Sequence, residues 1–523
     1  MGRAVSIAEA GELERETRRW GWLTLAALVA VLALHWWSLM RFPAPYVDEG
    51  WFASRAWGML HSGRAFGPLD AGVFDRFAGY WVLFPWLPTF VQSLALRLAA
   101  APALLPLRAL SLLFGLALLA LIYRSGTLLG GRPLGRLSAL LTALSAPFLH
   151  SSHLARYDVM AAVLGFAALA LYLSNRSAPR WWVGLLAGLC VGLAFEVHPQ
   201  STIYGLALMA LHFLDLRRAV LRHAHFWAFG AGWAVGLAIY AAIHVLPYPQ
   251  TYLALTQLAF GPTHTPPLLT LDPRVILRAV GDTTALLIVS YTALIPLIIW
   301  AVIVLARRRS RADQTILVLT GAMLTAFPLL TRIQIFSYAI LFSPLLDTLL
   351  AAFLLWFVQR PYRRRAGDVL RHGLVWGLCA GALLLNLSPL RIDLGAVHQA
   401  AQRRVAQSVQ AGDTIMASQV YWFGLYDHPY YSWEELVFYR DYAPGSALED
   451  ALEEFRPDVL VMDRYLGAVL ADPQQTGDAY FEAFRLSRAE MEDFLARRAR
   501  LVDEFDGGYY GHIRVYRIEW GQE

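Results

Sequence analysis

Tyr80-Trp81-Val82-Leu83-Phe84-Pro85-Trp86-Leu87-Pro88-Thr89-Phe90-Val91-Gln92-Ser93-Leu94-Ala95-Leu96-Arg97-Leu98 is long and apolar enough to cross a bilayer, and whether it crosses decides which side every later loop faces. Its start is rich in aromatics, Pro85 and Pro88 interrupt it, and Gln92 and Arg97 are polar. Prolines are tolerated in membrane helices, so they do not decide the matter. The arginines do, because short cytoplasmic loops carry the basic excess. If the run does not cross, one side collects Arg15, Arg18 and Arg19; Arg124, Arg132 and Arg136; Arg176 and Arg180; Arg217, Arg218 and Arg222; Arg307, Arg308, Arg309 and Arg311; and Arg360, Arg363, Arg364, Arg365 and Arg371. If it crosses, the N-terminus and these loops disagree. The run therefore reads as a helix lying at, or dipping into, the outer interface.

The rest of the chain is built from similar material. It has 523 residues, 57% hydrophobic and only 16% charged, against about a quarter charged in a soluble protein. Apolar runs of spanning length, roughly 17–25 residues, recur at 20–40, 107–123, 134–149, 158–173, 181–197, 199–214, 226–246, 283–306, 314–331, 333–357 and 372–390. The fold class is thus a polytopic α-helical membrane protein with about eleven spans. The net charge of +5 comes from arginine, with no lysine, and reports topology rather than nucleic-acid binding. Cys190 and Cys379 both lie in apolar runs, which argues against a disulfide framework. The N-terminal segment 1–19 has no cleavable signal pattern and reads as cytoplasmic, with the first apolar run retained as a span.

With this parity, 41–106, 150–157, 247–282 and everything after about 391 face outward. The membrane domain covers 20–390, and 391–523 reads as a soluble extracytoplasmic α/β domain. In it, Thr414–Ala417 and Asp458–Met462 look like buried strands, 446–455 and 487–499 have helical spacing, and 500–505 with 512–519 form a hairpin about Gly507-Gly508.

Four polar constellations fall on the outer face. The first is Tyr46-Val47-Asp48-Glu49-Gly50-Trp51, an acid pair after Pro43 and Pro45 at the start of an amphipathic interfacial helix. Asp48 serves either as the cap of that helix or as a general base, since a partly desolvated carboxylate is raised toward a useful range. The second is His150-Ser151-Ser152-His153-Leu154-Ala155-Arg156-Tyr157-Asp158. Arg156 and Asp158 either pair at a helix start or hold an anionic donor, and the two histidines read as supporting groups rather than zinc ligands. The third is Phe195-Glu196-Val197-His198-Pro199-Gln200, whose Glu196 and His198 line a cavity or simply reach water from a broken helix. The fourth is Thr331-Arg332-Ile333-Gln334-Ile335-Phe336-Ser337-Tyr338. Arg332 either binds a lipid phosphate or snorkels to headgroups. In the loop 247–282, His264 and Asp272 are weaker candidates that read as structural.

In this order the features resemble the GT-C glycosyltransferases, and more narrowly the branch of protein O-mannosyltransferases, the lipid A aminoarabinose transferase and Rgt-type transferases. The resemblance rests on Asp48-Glu49, on Arg156 and Asp158 within Leu154–Met160, on His198-Pro199, and on Arg332 with Tyr338 and Pro344. It implies an inverting glycosyltransferase of the cell envelope, in the plasma (inner) membrane of a bacterium. The donor would be a hexose or pentose on polyprenyl phosphate, and the acceptor an extracytoplasmic lipid, polysaccharide or protein. Asp48, with Glu49 and Asp158, would form the catalytic set. Arg156, Arg332, His198 and Tyr338 would hold the donor phosphate. A divalent metal at Asp48 and Asp158 is used by some relatives and not by others, and no other cofactor is implied. Competing readings are a transporter or flippase of a lipid-linked anion, against which no repeated halves are visible, and a non-catalytic membrane scaffold.

Overall fold

The computed structural model describes residues 26–27, 29–260, 272–331, 334–359, 366–470 and 485–521. Helix α1 (Val29–Ser38) leads into the first loop, which carries α2 (Val47–Ser62) and α3 (Trp86–Leu96). Pro85 stands at the N-cap of α3, and residues Tyr80–Leu83 ahead of it form a 3-10 turn. With 11 residues, α3 is about 17 Å long, roughly half of a ~30 Å hydrocarbon core. The 80–98 run does not form one spanning helix.

Helix α4 (Leu104–Ala143) covers the expected span 107–123 and the first ten residues of 134–149. Gly130 and Gly131 break it, Gly131 at φ 83°, and the chain doubles back there: a Cβ on Gly126 would lie 2.8 Å from the Cα of Gly135. On a straight helix those residues would be about 13 Å apart. Then follow α5 (Ala146–Ser151), α6 (Asp158–Ser174), α7 (Trp181–Val197), α8 (Thr202–Leu216), α9 (Ala224–Tyr240, continued by a π-helical turn to Val245) and α10 (Pro249–Phe260). Helices α7 and α9 touch along small residues. A Cβ on Gly192 would come 2.6 Å from the Cα of Gly236, the close backbone approach that helices use in lipid.

The expected single span at 283–306 is instead a bent pair, α11 (Pro273–Tyr291) and α12 (Ile295–Arg308), meeting at 105°. Pro296 in the first turn of α12 has no N–H to continue the preceding helix. Helices α13 (Arg311–Leu330), α14 (Ser343–Val358) and α15 (Ala366–Leu387) complete the membrane part. Among the described residues, four helical stretches have the length and apolarity to cross by themselves, and the bent pair makes a fifth if counted as one. Four shorter apolar helices, α1, α6, α7 and α14, stand among them. The chain is an integral membrane protein.

The C-terminal part contains α16 (Leu394–Gln407), β1 (Ile415–Ala417), β2 (Tyr430–Ser432), α17 (Glu434–Tyr442), α18 (Leu448–Phe455), β3 (Val459–Met462), α19 (Arg464–Val469), α20 (Arg488–Arg498), β4 (Ala499–Asp506) and β5 (His512–Ile518). The sheet order is β2-β1-β3-β5-β4. Strand β1 runs parallel to β2 and β3, while β5 is antiparallel to β3 and β4. The two buried strands, two helices and hairpin expected from the sequence are present, and β2 is an addition. This layer shares a core with the first loop: Val47, Leu69 and Phe74 join Trp422, Trp433, Leu460 and Tyr510 in one buried cluster. The Leu394 N–H donates to the Arg41 carbonyl at 2.9 Å, and the Tyr510 hydroxyl to that of Pro45 at 2.9 Å.

Candidate functional site

Two prolines and an extended Tyr46 (φ −107°, ψ 153°) set the start of α2. Asp48 and Glu49 then occupy its first turn, where a carboxylate also suits the helix dipole. Successive helical residues point about 100° apart, so the two acids enter different surroundings. Glu49, not Asp48, receives the Tyr46 N–H, at 3.0 Å. It also receives the Ala155 N–H at 2.7 Å and two bonds from Arg108, at 2.9 and 2.8 Å. Arg108 donates further to the carbonyls of Leu39 and Pro43, each at 3.0 Å. Both side chains are fully buried. The pair ties α2 to α4 and to the turn before α6. Arg108 was not among the sequence candidates. Its signal was an arginine at the head of an apolar run, without an obvious partner nearby.

Asp48 turns the other way and pairs with Nη1 of Arg156. The same guanidinium donates through Nε to Asp158 Oδ2 at 2.8 Å. His198 Nε2 stands 3.6 Å from Asp158 Oδ1. Arg156 lies over the Phe52 and Tyr338 rings at 5.5 and 5.7 Å, and His198 meets Tyr338 edge-on at 5.0 Å. The structure thus brings Asp48, Arg156, Asp158, His198 and Tyr338 together. Of the three carboxylates, Glu49 is 0% exposed, Asp158 1% and Asp48 16%.

The segment carrying Arg156 is held from several sides. The Ser151 hydroxyl donates to the Ser337 carbonyl at 3.0 Å, and Gln92 to the carbonyl of Ala155 at 3.1 Å. His153 bonds the Phe42 carbonyl at 3.1 Å and His35 at 2.9 Å. Tyr157 stacks on Phe52 at 4.1 Å. Glu196 accepts the Trp86 and Leu87 N–H groups at 2.6 and 3.1 Å, satisfying the free donors at the start of α3. His244 also meets it, at 3.3 Å. Asp272 caps α11 by accepting the Arg274 N–H at 2.9 Å. Arg332 and His264 lie outside the described residues.

A metal at Asp48 and Asp158 does not fit this arrangement, because the Arg156 cation stands between the two carboxylates. Among the described residues no group of three or more His, Cys, Asp or Glu side chains could hold a metal ion.

Comparison of the whole fold gives ArnT from Cupriavidus metallidurans bound to undecaprenyl phosphate, with a TM-score of 0.62 at 14% identity, covering 95% of this chain and 98% of that one. The chain has the GT-C fold. The same fold is matched in the Archaeoglobus fulgidus oligosaccharyltransferase. Its form tethered to an acceptor peptide containing the NVT sequon gives a TM-score of 0.50 at 14% identity, over 94% of this chain and 74% of that one. Its complex with Zn and sulfate gives 0.51 at 15% identity, over 93% and 72%. No family model matches the sequence, and no curated protein is matched. The GT-C likeness extends through the C-terminal layer as well as the membrane helices, since nearly the whole of ArnT is covered.

Proposed function

We propose that the chain transfers a sugar from a polyprenyl-phosphate carrier to an acceptor hydroxyl on the outer face of the plasma membrane, with inversion, and that Asp48 is the general base. The observation that carries this reading is the asymmetry among the carboxylates. Glu49 is used up by Arg108 and two backbone N–H groups, Asp158 is committed through Oδ2 to orienting Arg156, and Asp48 retains surface for a reactant. The undecaprenyl phosphate bound by ArnT supports the class of carrier.

In this mechanism the acceptor oxygen attacks the anomeric carbon, the bond from that carbon to the phosphate oxygen breaks, and its electron pair leaves with the carrier phosphate. The acceptor proton passes to Asp48. A phosphate is already a good leaving group, so no general acid is required and the base takes its proton late. Arg156 links the two tasks. An arriving phosphate competes for its guanidinium, a charge-assisted and bidentate partner, and thereby releases Asp48 to face the acceptor. Asp158 and His198 keep that guanidinium in place. Preorganised positive charge of this kind stabilises a developing anion best in a water-poor cavity. Glu49 holds the fold and does not react.

The test is mass spectrometry of the cell envelope with wild-type chain, with Asp48→Asn and with no chain. The expected result is that Asp48→Asn behaves as the null: one lipid-linked sugar accumulates and one acceptor loses its sugar. Full transfer by Asp48→Asn removes the base assignment.

A further inference from the structure

Asp158 Oδ1, His198 Nδ1, Gln200 Oε1 and Ser201 Oγ are among the polar atoms of the site that are buried without a hydrogen-bond partner. All but Asp158 belong to the short break between α7 and α8, where Pro199–Ser201 form a 3-10 turn. Burying such a group unpaired is unfavourable, and several together on one turn mark a surface made for a polar ligand. Gln200 is the informative member. Its side chain stands beside Tyr338, and its carbonyl oxygen is left over.

The kind of atom decides what fits. Gln200 Oε1 and the carboxylate Oδ1 of Asp158 only accept hydrogen bonds. An ionised phosphate has no proton to give them, so the group that satisfies the arginine cannot satisfy these oxygens. A sugar ring presents several O–H donors beside that phosphate. Resting on the proposed transfer reaction, we infer that the His198–Ser201 turn is the subsite for the transferred sugar, and that Gln200 is a specificity-determining residue that reads one of its hydroxyls through Oε1. Asp158 then has two faces: Oδ2 orients Arg156 and Oδ1 meets the sugar.

The experiment measures binding to the full chain in nanodiscs, with two probes. One is the polyprenyl-phosphate-sugar fraction extracted from cells that make the chain; the other is undecaprenyl phosphate without sugar. Gln200→Met keeps the shape and removes the polar atoms, whereas Gln200→Glu keeps an acceptor. For wild type, the sugar-bearing fraction binds more tightly than the bare carrier. For Gln200→Met, that preference falls by about tenfold, the effect of one lost hydrogen bond to a buried group, with bare-carrier binding unchanged. Gln200→Glu recovers part of the preference. Unchanged preference in Gln200→Met overturns the subsite, and so does an equal loss on both probes, which would make Gln200 a prop for Tyr338. If wild type itself shows no preference for the sugar-bearing fraction, the subsite fails; if it binds neither probe, the transfer reading fails and the subsite with it.

Discussion

At the scale of single residues, the acid pair separates into a fully buried group tied to Arg108 and a partly exposed one paired with Arg156, and two substitutions tell them apart. In Glu49→Gln, Arg108 keeps its charge inside the protein and loses its counter-ion. Breaking a buried pair in this way costs about 3–5 kcal/mol, so the expected outcome is a much lower unfolding midpoint in detergent and poor yield. Asp48→Asn removes a carboxylate from Arg156, which keeps Asp158 as its partner, so the midpoint stays close to wild type while transfer falls at least a hundredfold, in line with loss of a general base. Thermal unfolding and transfer assays on both variants check this; equal destabilisation by the two would erase the distinction. The sequence marks both acids as unusual in so apolar a chain. It does not say that they part company, because that depends on Arg108, 59 residues further on, and on a turn around Ala155 that no local pattern links to α2.

At the scale of elements, the 80–98 run was legible because arginine parity over the whole chain spoke against a crossing, and its helix α3 is only 11 residues long. The 283–306 run was not. A helix in lipid can be apolar on every side, so hydropathy carries no mark of where it turns, and Pro296 is compatible both with a crossing helix and with the new start it makes in α12. The same limit hid the approach of the C-terminal layer to α2. Gly50 follows the acid pair, and a Cβ added there would collide with the Gln419 carbonyl oxygen and come within 3.0 Å of the Gln419 Cβ. The glycine looks like a weak helix residue in the sequence; in the structure it lets the C-terminal layer rest on the helix that carries Asp48. Gly50→Ala should therefore push α2 and Gln419 apart, a backbone clash costing about 1–3 kcal/mol, and lower transfer while leaving the membrane helices intact. Limited proteolysis of the C-terminal layer alongside a transfer assay checks this; wild-type behaviour in both would mean that the contact absorbs a methyl without loss.

At the scale of the whole molecule, the shared core of first loop and C-terminal layer requires both to lie on one side of the membrane. In a chain lacking Cys190 and Cys379, a cysteine at exposed Asp427 should react with an impermeant thiol reagent from outside. One at Arg132, at the exposed turn between the arms of α4, should react only after the membrane is opened. The reverse pattern would overturn the arginine parity. The same interface makes stability depend on pH. Burial pushes the Asp463 carboxyl up to about 6, against the Leu466 and Tyr465 N–H groups that favour its charged form. Burial likewise pushes Glu435 well above the usual range. Glu435 accepts the Val73 N–H at 3.0 Å and faces Asp70, Glu434 and Asp75, and the nearby Arg55 is committed to Asp70. Groups whose folded value is raised contribute stability that is complete below their ordinary range and is lost as pH rises through the folded value. Asp413 acts in the opposite sense: although burial pushes it up, Arg517 and the Gln410 N–H hold it below the usual range, so its contribution disappears only in stronger acid. His398, which burial pushes down to about 4, also acts in the opposite sense, its contribution growing as pH rises toward its ordinary range, so it offsets Asp463 in mild acid, and above about pH 6.5 the trend is set by Glu435. Between about pH 6.5 and pH 8, where His398 is neutral folded or unfolded, the C-terminal layer should lose amide protection once intrinsic rates are corrected, and Glu435→Gln should flatten the difference, since the uncharged amide no longer titrates. Hydrogen–deuterium exchange across β1, β3 and the first loop measures it. Protection that rises with pH over this interval in the wild type would show that Glu435 does not control how the C-terminal layer is seated above Asp48.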